Sequence, residues 1–232
     1  TPRATSLAGQ TALVTGAARR VGAAIARALH AYGANVIIHC HRSLAEAHAL
    51  AAELESARAG STAVEVADLL DIGALARLGV AASEHFGGLH LLINNASSFY
   101  PTPFGQMTAA QWDDLFGTNL RAPLFLAQAA APALRRCRGS IVNIVDIHGQ
   151  RPLRDYAIYC TAKAGLIMLT RALARELAPE VRVNAIAPGT ILWPERGMEE
   201  SLKQRITAQT PLRRQGSPED IVRAVLFFSA EA

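Results

Sequence analysis

Residues 141–163 read IVNIVDIHGQRPLRDYAIYCTAK, and this stretch decides the predicted fold. It begins as a short apolar strand, passes through a loop that contains Asp146, and enters a helix on which Tyr159 stands four residues before Lys163. That spacing puts the phenol and the ammonium group on one face of the helix. Because a nearby cation stabilises a phenolate and lowers the pKa of the phenol, the pair could donate a proton in catalysis. An isolated Tyr-x-x-x-Lys match usually arises by chance, so the rest of the chain must decide.

The composition of the chain fits one α/β domain. Half of the 232 residues are hydrophobic and few are aromatic, which suits buried parallel strands between helices. The net charge of +4 is scattered, so we expect no nucleic-acid partner. Three cysteines without a short spacing predict neither a disulfide framework nor a metal site, and favour a reducing, cytoplasmic location. No apolar run approaches the length of a membrane span, and the first residues lack the layout of a secretory signal.

Short apolar runs alternate with helical patterns over residues 1–232, which predicts one doubly wound parallel sheet of the Rossmann type. The predicted strands are 11–15, 35–39, 62–66, 89–93, 140–145 and 182–186. The predicted helices include 20–32, 44–58, a region that starts at 112, 122–136, one that carries Tyr159, and one from 218.

The turn after the first predicted strand, GAARRVG, is a candidate phosphate site. Gly16 permits a tight turn and Gly22 allows close packing, so backbone N–H groups at the helix N-terminus could bind phosphate. Arg20 stands where a middle glycine is expected in a dinucleotide-binding fingerprint. Since any turn from a strand to a helix can use glycines, the motif alone leaves the ligand open.

The end of the second predicted strand bears on the choice of cofactor. His41, Arg42 and Ser43 stand where an NAD site usually has an acidic residue. A guanidinium and a hydroxyl suit a ribose 2′-phosphate, which favours NADPH. The alternative is that Arg42 is a solvated loop residue and Ser43 caps the next helix.

Other candidates follow the third and fourth predicted strands. Asp68, next to Leu69, could accept a hydrogen bond from an adenine amino group or cap the helix that begins near Asp71. The loop NNASSFYPTPF has small residues that let a ligand approach, which places Ser97 and Phe99 at the expected site. The alternative is a Pro-rich surface loop with a buried Phe.

Two further candidates lie later in the chain. Asn119 interrupts a predicted helix and could hold a water or a lysine through its carbonyl group, although a plain polar helix residue is the alternative. The sixth predicted strand ends at Pro188 and Gly189, again at a carboxyl-end turn.

Taken in order, these motifs resemble those of the short-chain dehydrogenase/reductase family over nearly the entire chain. The resemblance implies that Tyr159 is the acid, that Lys163 lowers its pKa and binds the nicotinamide ribose, and that Asn119 completes a proton relay. Tyr156 is excluded because it stands seven residues before Lys163. The cofactor contacts that we expect are Gly16, Arg20, Gly22, His41, Arg42, Ser43, Asp68, Leu69, Asn95, Ala96, Ser97, Tyr159, Lys163, Pro188 and Gly189.

Asp146 restricts the resemblance to one subgroup of the family. It lies thirteen residues before Tyr159, where most members of the family have a serine, and a carboxylate cannot donate to a carbonyl oxygen unless it is protonated. Together with Arg20, Ser97 and Phe99, it resembles the pteridine reductases. That resemblance implies that Arg20 approaches cofactor phosphate and pterin, that Ser97 binds cofactor, and that Phe99 stacks on the pterin. The expected reaction is reduction of a pterin by NADPH, with folate and dihydrofolate as further substrates.

Two alternatives remain open. One is a carbonyl or 3-oxoacyl reductase of the same fold, and the other is an NADP-binding sensor without turnover. The resemblance also implies one more strand after the last predicted helix, C-terminal residues that close the site, and a homotetramer formed through the helices near 122–136 and 157–178.

Overall fold

A computed structural model describes residues 6–193 and 197–230. Its centre is a parallel sheet of six strands in the order β3-β2-β1-β4-β5-β6. The strands are β1 (Thr11–Val14), β2 (Asn35–Cys40), β3 (Thr62–Val66), β4 (Leu91–Asn94), β5 (Ser140–Ile144) and β6 (Arg182–Ile186). The predicted doubly wound sheet of the Rossmann type is therefore confirmed.

Eight α-helices lie within the described residues. They are α1 (Arg20–Ala31), α2 (Leu44–Ala57), α3 (Ile72–Glu84), α4 (Ala109–Phe116), α5 (Ala122–Arg136), α6 (Ala157–Glu176), α7 (Glu200–Gln209) and α8 (Pro218–Ser229). The predicted charged segment near α7 begins at Glu195, which lies outside the described residues.

The two faces of the sheet are buried by different helices. Val14 packs in the cluster that α1, α2 and α8 cover, whereas Leu13 packs with α3, α5 and the end of α6. Successive side chains of a strand point to opposite faces, so a strand covered on both sides must be apolar at nearly every position. This explains why the central strands β1 and β4 are apolar at most positions.

A chain of buried polar side chains crosses this apolar interior. Asn94 Nδ2 donates to Asn143 Oδ1 at 2.8 Å, and Asn143 Nδ2 donates to Thr170 Oγ1 at 2.9 Å. Thr170 in turn donates to the carbonyl oxygen of Leu166 at 2.8 Å. Asn94 and Asn143 are register partners in the β4–β5 ladder, so the chain joins two strands to α6.

Two elements start more than one residue away from the position that the sequence predicts. The fourth strand is Leu91–Asn94 instead of 89–93. Leu89 lies before the strand, and it is apolar because it packs in the core beside α3 and α5. The helix predicted from 112 begins at Ala109, because Thr108 and Gln111 form a capping box ahead of the apolar pattern.

One helix in the described part of the chain, Ala157–Glu176, is long and apolar enough by length and composition to cross a membrane. The sequence expectation that no run approaches that length is therefore wrong for α6. The helix packs on β6 and on the loop after β5, and 39% of its apolar window is buried inside the protein. Because a core helix passes the same test, this finding is weak evidence for a membrane span.

Candidate active site

The sheet topology brings the predicted site residues to one edge. The strand order reverses between β1 and β4, so the loops that follow these strands lead to opposite faces and leave a crevice at the carboxyl ends. Backbone hydrogen bonds join neighbouring loops at this edge. Thr15 N donates to Ile93 O at 3.0 Å, and Ile147 N donates to Pro188 O at 3.1 Å.

Asp146, Tyr159 and Lys163 come together where the loop after β5 meets the start of α6. The Tyr159 hydroxyl donates to Asp146 Oδ2 at 2.7 Å, and His148 N donates to Asp146 Oδ1 at 2.8 Å. The carboxylate therefore caps a turn with one oxygen and holds the tyrosine with the other. Lys163 Nζ donates to Ile144 O at 2.9 Å and lies 5.8 Å from the centroid of the Tyr159 ring.

The electrostatics of this group differ from the sequence expectation. Tyr159 and Lys163 are only 4% and 2% exposed. Burial raises the pKa of Tyr159 well above its ordinary value, the charge of Asp146 raises it further, and a hydrogen bond with Ser97 lowers it. The net pKa of Tyr159 is therefore raised instead of lowered, because desolvation and the carboxylate dominate, and the expectation that Lys163 lowers it from that raised value stays a prediction. Burial lowers the pKa of Lys163 to about 8, although Asp146 opposes that shift.

Asn119 lies in a π-helical turn, Gly117–Arg121, between α4 and α5. Its buried side chain accepts a hydrogen bond of 2.6 Å from Ser97 Oγ and donates to the carbonyl oxygens of Ser98 and Leu115, at 2.9 Å each. Asn119 does interrupt the helix, as the sequence indicates, and its side chain fixes the loop after β4. π-turns are frequent at functional sites, and the role of Asn119 in proton transfer stays a prediction.

Phe99 forms an aromatic wall beside Tyr159. Its ring is stacked on Tyr156 with centroids 4.6 Å apart, and it meets Tyr159 edge-on at 4.8 Å. With 48% of the residue exposed, the alternative of a buried Phe in a surface loop is wrong. Tyr156, which the sequence spacing excludes as the acid, is nevertheless part of this wall. The only sequence signal for it is an aromatic residue at the start of the helix of Tyr159.

The glycine turn is held tightly against the loop after β4. Gly16 has φ +62°, and a Cβ at Gly22 would lie 2.3 Å from Gly16 O, so both positions require glycine. Asn95 Nδ2 donates to Thr15 O at 2.8 Å and to Gly16 O at 3.3 Å. Thr15 Oγ1 accepts hydrogen bonds from the backbone N–H groups of Asn95 and Ala96 at 2.9 and 3.0 Å. The sequence analysis missed Thr15, whose signal is a hydroxyl directly before the glycine.

The N-terminus of α1 fits a dinucleotide phosphate. The N-cap residue Arg19 makes no side-chain capping bond, and the described first turn holds no acidic residue that would repel an anion. A helix N-terminus of this kind, with its N–H groups and its dipole, favours negative charge. Arg20 adopts φ +55°, where a glycine is usual, and its guanidinium group donates to Trp193 O at 3.1 Å.

The end of β2 offers cationic groups at the surface. His41 and Arg42 are exposed, and Ser43 is half-buried. Ser43 occupies the N-cap position of α2 without a side-chain capping bond, and Arg42 is exposed in the loop, so the alternative of a solvated arginine before an N-cap serine stays open. These three residues remain candidates for contacts with a 2′-phosphate, as predicted.

Asp68 lies across from them at the end of β3. One of its oxygens is 3.9 Å from His41 Nε2, and the other accepts a hydrogen bond of 2.9 Å from Leu70 N. Asp71 and not Asp68 caps α3, through a bond of 2.7 Å from Gly73 N, so the capping alternative for Asp68 is wrong.

Three remaining cofactor candidates have less distinctive surroundings. Leu69 is buried in the core cluster beside α3. Pro188 supplies the carbonyl group that accepts from Ile147 N, and a Cβ added to Gly189 would meet Ile147 at an ordinary 3.7 Å. A ligand can therefore approach the backbone at Gly189.

A surface cavity of about 440 Å³ lies between the loop after β6 and α7. Its walls are formed by Trp193, Glu200, Lys203, Gln204, Thr207, Ala208, Arg213 and Gln215. The hydrogen bond from Arg20 to Trp193 connects this cavity to the glycine turn. Neither Asp146 nor Tyr159 lines this cavity.

Residues 16–232 match the family profile described as Enoyl-(Acyl carrier protein) reductase. The chain belongs to the short-chain dehydrogenase/reductase family, whose members are oxidoreductases that bind NAD(P)H. It is 37% identical to Pteridine reductase 1 of Leishmania tarentolae, over 96% of this chain and 91% of that protein. It is 35% identical to the 3-oxoacyl-[acyl-carrier-protein] reductase FabG of Staphylococcus aureus, with the same coverage, and to Nodulation protein G of a Rhizobium species, over 97% and 91%.

Proposed function

We propose that this protein is an NADPH-dependent pteridine reductase. The observation that carries the proposal is the hydrogen bond of 2.7 Å from the Tyr159 hydroxyl to Asp146. An ionised carboxylate beside the proton donor accepts hydrogen bonds, which suits the ring amine groups of a pterin and does not suit the oxygen of a ketone.

Bound NADPH supplies the hydride, which is transferred to a carbon of the C=N bond in the pyrazine ring. Tyr159 would give its proton to the adjoining ring nitrogen, so that one C–H bond and one N–H bond form while the C–H bond of the hydride donor, the π bond of C=N and the O–H bond of Tyr159 break. The Lys163 ammonium group then stabilises the phenolate until it regains a proton from solvent.

Asp146 can control when Tyr159 becomes acidic. Burial holds the pKa of Tyr159 high, and the charge of Asp146 raises it further. Amine groups of a bound pterin would donate to the same carboxylate and offset part of that charge, and this lowers the pKa of Tyr159 when the proton is needed. A ketone has no such donors, so it would leave the tyrosine a weak acid.

Phe99 supports a flat aromatic substrate. Its ring stacks on Tyr156 and touches the edge of Tyr159, so an aromatic face lies at the catalytic group. A pterin ring can replace Tyr156 or extend the stack, because offset stacking of aromatic rings is favourable by about 0.5–1.5 kcal/mol.

The cofactor proposal rests on the end of β2. Arg42 and Ser43 supply a guanidinium and a hydroxyl group, while the His41 ring lies beside Asp68. This set suits the extra phosphate of NADPH. We further propose that the partner is a small-molecule pterin or folate and that the protein acts in the cytoplasm.

A carbonyl or 3-oxoacyl reductase is the second candidate. The 35% identity to the 3-oxoacyl-[acyl-carrier-protein] reductase FabG, close to the 37% for the pteridine reductase, favours it. Asp146 argues against it, because a carboxylate does not donate a hydrogen bond to the oxygen of the substrate.

One panel of substrates tests both candidates. NADPH oxidation is measured with biopterin, dihydrobiopterin, folate, dihydrofolate, a simple ketone and an acetoacetyl thioester. The proposal predicts turnover of the pterins and none of the ketone or thioester. Turnover of the thioester alone would establish the second candidate, and NADPH binding without any turnover would favour a sensor.

A further inference from the structure

His39, which the sequence analysis did not single out, lies at the carboxyl end of β2 and is only 1% exposed. Its Nδ1 accepts a hydrogen bond of 3.2 Å from Gly16 N, in the turn after β1. Its Nε2 lies 3.2 Å from Ala67 O, in the loop after β3. The backbone carbonyl group of His39 also accepts from Ala17 N at 2.9 Å. One residue therefore joins the ends of three neighbouring strands.

The partners of the ring fix its protonation state. A carbonyl oxygen can only accept, so Nε2 carries the proton, and Nδ1 must be bare in order to accept from Gly16. Only the neutral ring satisfies both bonds. Burial lowers the pKa of His39 to about 4, with His41 acting in the same direction and Ala67 O and Glu65 against it, so the ring is neutral at pH 7.

Gly16 is held from both sides. Its N–H group donates to His39 from β2, and its carbonyl oxygen accepts from Asn95 Nδ2 beyond β4, at 3.3 Å. Gly16 has φ +62°, which is one of several backbone regions that a glycine can adopt. Hydrogen bonds from the neighbouring strands are therefore needed to select this conformation of Gly16. Its backbone leads into the N-terminus of α1, where the phosphate is expected to bind.

We propose that His39 is a positioning residue for the dinucleotide. Its ring sets the distance and direction of the phosphate-binding turn relative to the loop of Ala67 and Asp68, where the adenosine end is expected. A dinucleotide must contact both loops at once, so a shift of the turn would cost affinity. The inference rests on the family's use of NAD(P)H and not on the identity of the reduced substrate.

Three variants separate positioning from plain stability. His39→Asn keeps a side-chain oxygen near the position of Nδ1 and can still accept from Gly16 N. His39→Gln keeps a donor near the position of Nε2 for Ala67 O but has no acceptor for Gly16 N. The matched control is His30→Asn. His30 is also buried, with Nε2 2.7 Å from Ser61 Oγ, and it lies at the opposite end of α1 from the glycine turn.

The readouts are the Kd of NADPH and of NADH by fluorescence titration, the melting temperature, and kcat at saturating cofactor. We expect His39→Gln to raise both Kd values roughly tenfold to a hundredfold and to leave kcat near the parent value, since loss of one hydrogen bond to a charged phosphate weakens binding by about this factor. His39→Asn should retain most of the affinity, and His30→Asn should lower the melting temperature without a change in Kd.

The proposal is overturned if the Asn and Gln variants of His39 bind NADPH equally well, or if their Kd changes only in proportion to stability, as with His30→Asn. Because binding is measured without a reducible substrate, these outcomes are independent of the pterin proposal. A failure of pterin turnover would leave the binding test intact.

Discussion

Replacement of Asp146 by asparagine isolates the charge that distinguishes this site. The amide oxygen of Asn can keep the bond of 2.8 Å from His148 N, so the cap is preserved. The hydroxyl of Tyr159 then faces a neutral amide and loses its ionised acceptor at 2.7 Å. Loss of one charge-assisted contact in the transition state costs roughly 2–4 kcal/mol, or about one and a half to three decades in kcat. The pKa of Tyr159 should fall, because Asp146 raises it.

The assay combines pterin turnover, NADPH affinity and melting temperature on one preparation. Asp146→Ser, the family-like variant, should lose pterin turnover to a similar extent, while both variants keep NADPH affinity. Asp146→Ala is the stability control, because it also removes the cap, at a cost of roughly 0.5–2 kcal/mol. Undiminished pterin turnover in the Asn and Ser variants would refute the role of the carboxylate and the main reason for preferring a pterin to a ketone.

Further expectations concern the cofactor, the buried lysine and assembly. Arg42→Ala should weaken NADPH binding by roughly 1.5–3 kcal/mol and spare NADH, in equilibrium titrations; equal use of both cofactors by the parent would contradict this. The folded protein holds the pKa of Lys163 at about 8, against an ordinary 10.5. The free energy of unfolding of the parent, relative to that of Lys163→Met, should therefore rise by up to roughly 3 kcal/mol as the pH increases from 8 to 10.5. If denaturant melts show the same difference between the two proteins at both pH values, the shift is contradicted. Apolar surface on α5 and α6, including exposed Met168, leads us to expect a homotetramer of the 24.7 kDa chain, which light scattering at micromolar concentration would disprove by a monomeric mass.

Much of the fold could be predicted from local pattern. The bounds of α5 and β6 match the prediction, because an apolar helix with a proline in its first turn and a five-residue strand leave few alternatives. The π-turn at Gly117–Arg121 could not be located, since Asn119 leaves the helical pattern to bond the loop after β4. Such a contact depends on residues that are distant in sequence.

The candidate site, like the fold, could be predicted from local spacing but not where distant residues meet. Helical spacing correctly puts Tyr159 and Lys163 on one face, but the direction of the Tyr159 pKa depends on burial and on Asp146, which only the assembled fold determines. His39 was hidden because a histidine inside an apolar run looks like an ordinary strand residue. Its two hydrogen bonds reach loops that follow other strands.

The pairing of Asn94 with Asn143 has a consequence for the accuracy of the site. Strands of Ile, Leu and Val can slide along each other with little loss of apolar contact, whereas a buried amide pair is satisfied in one alignment only. A slip by one residue would move the strands by about 3.3 Å. Asn143 precedes Asp146 by three residues, and Asn94 directly precedes Asn95, so the same slip would pull the carboxylate away from the glycine turn. The amide pair thus fixes the position, along the strand direction, of the loop that carries Asp146 relative to the loop that follows β4.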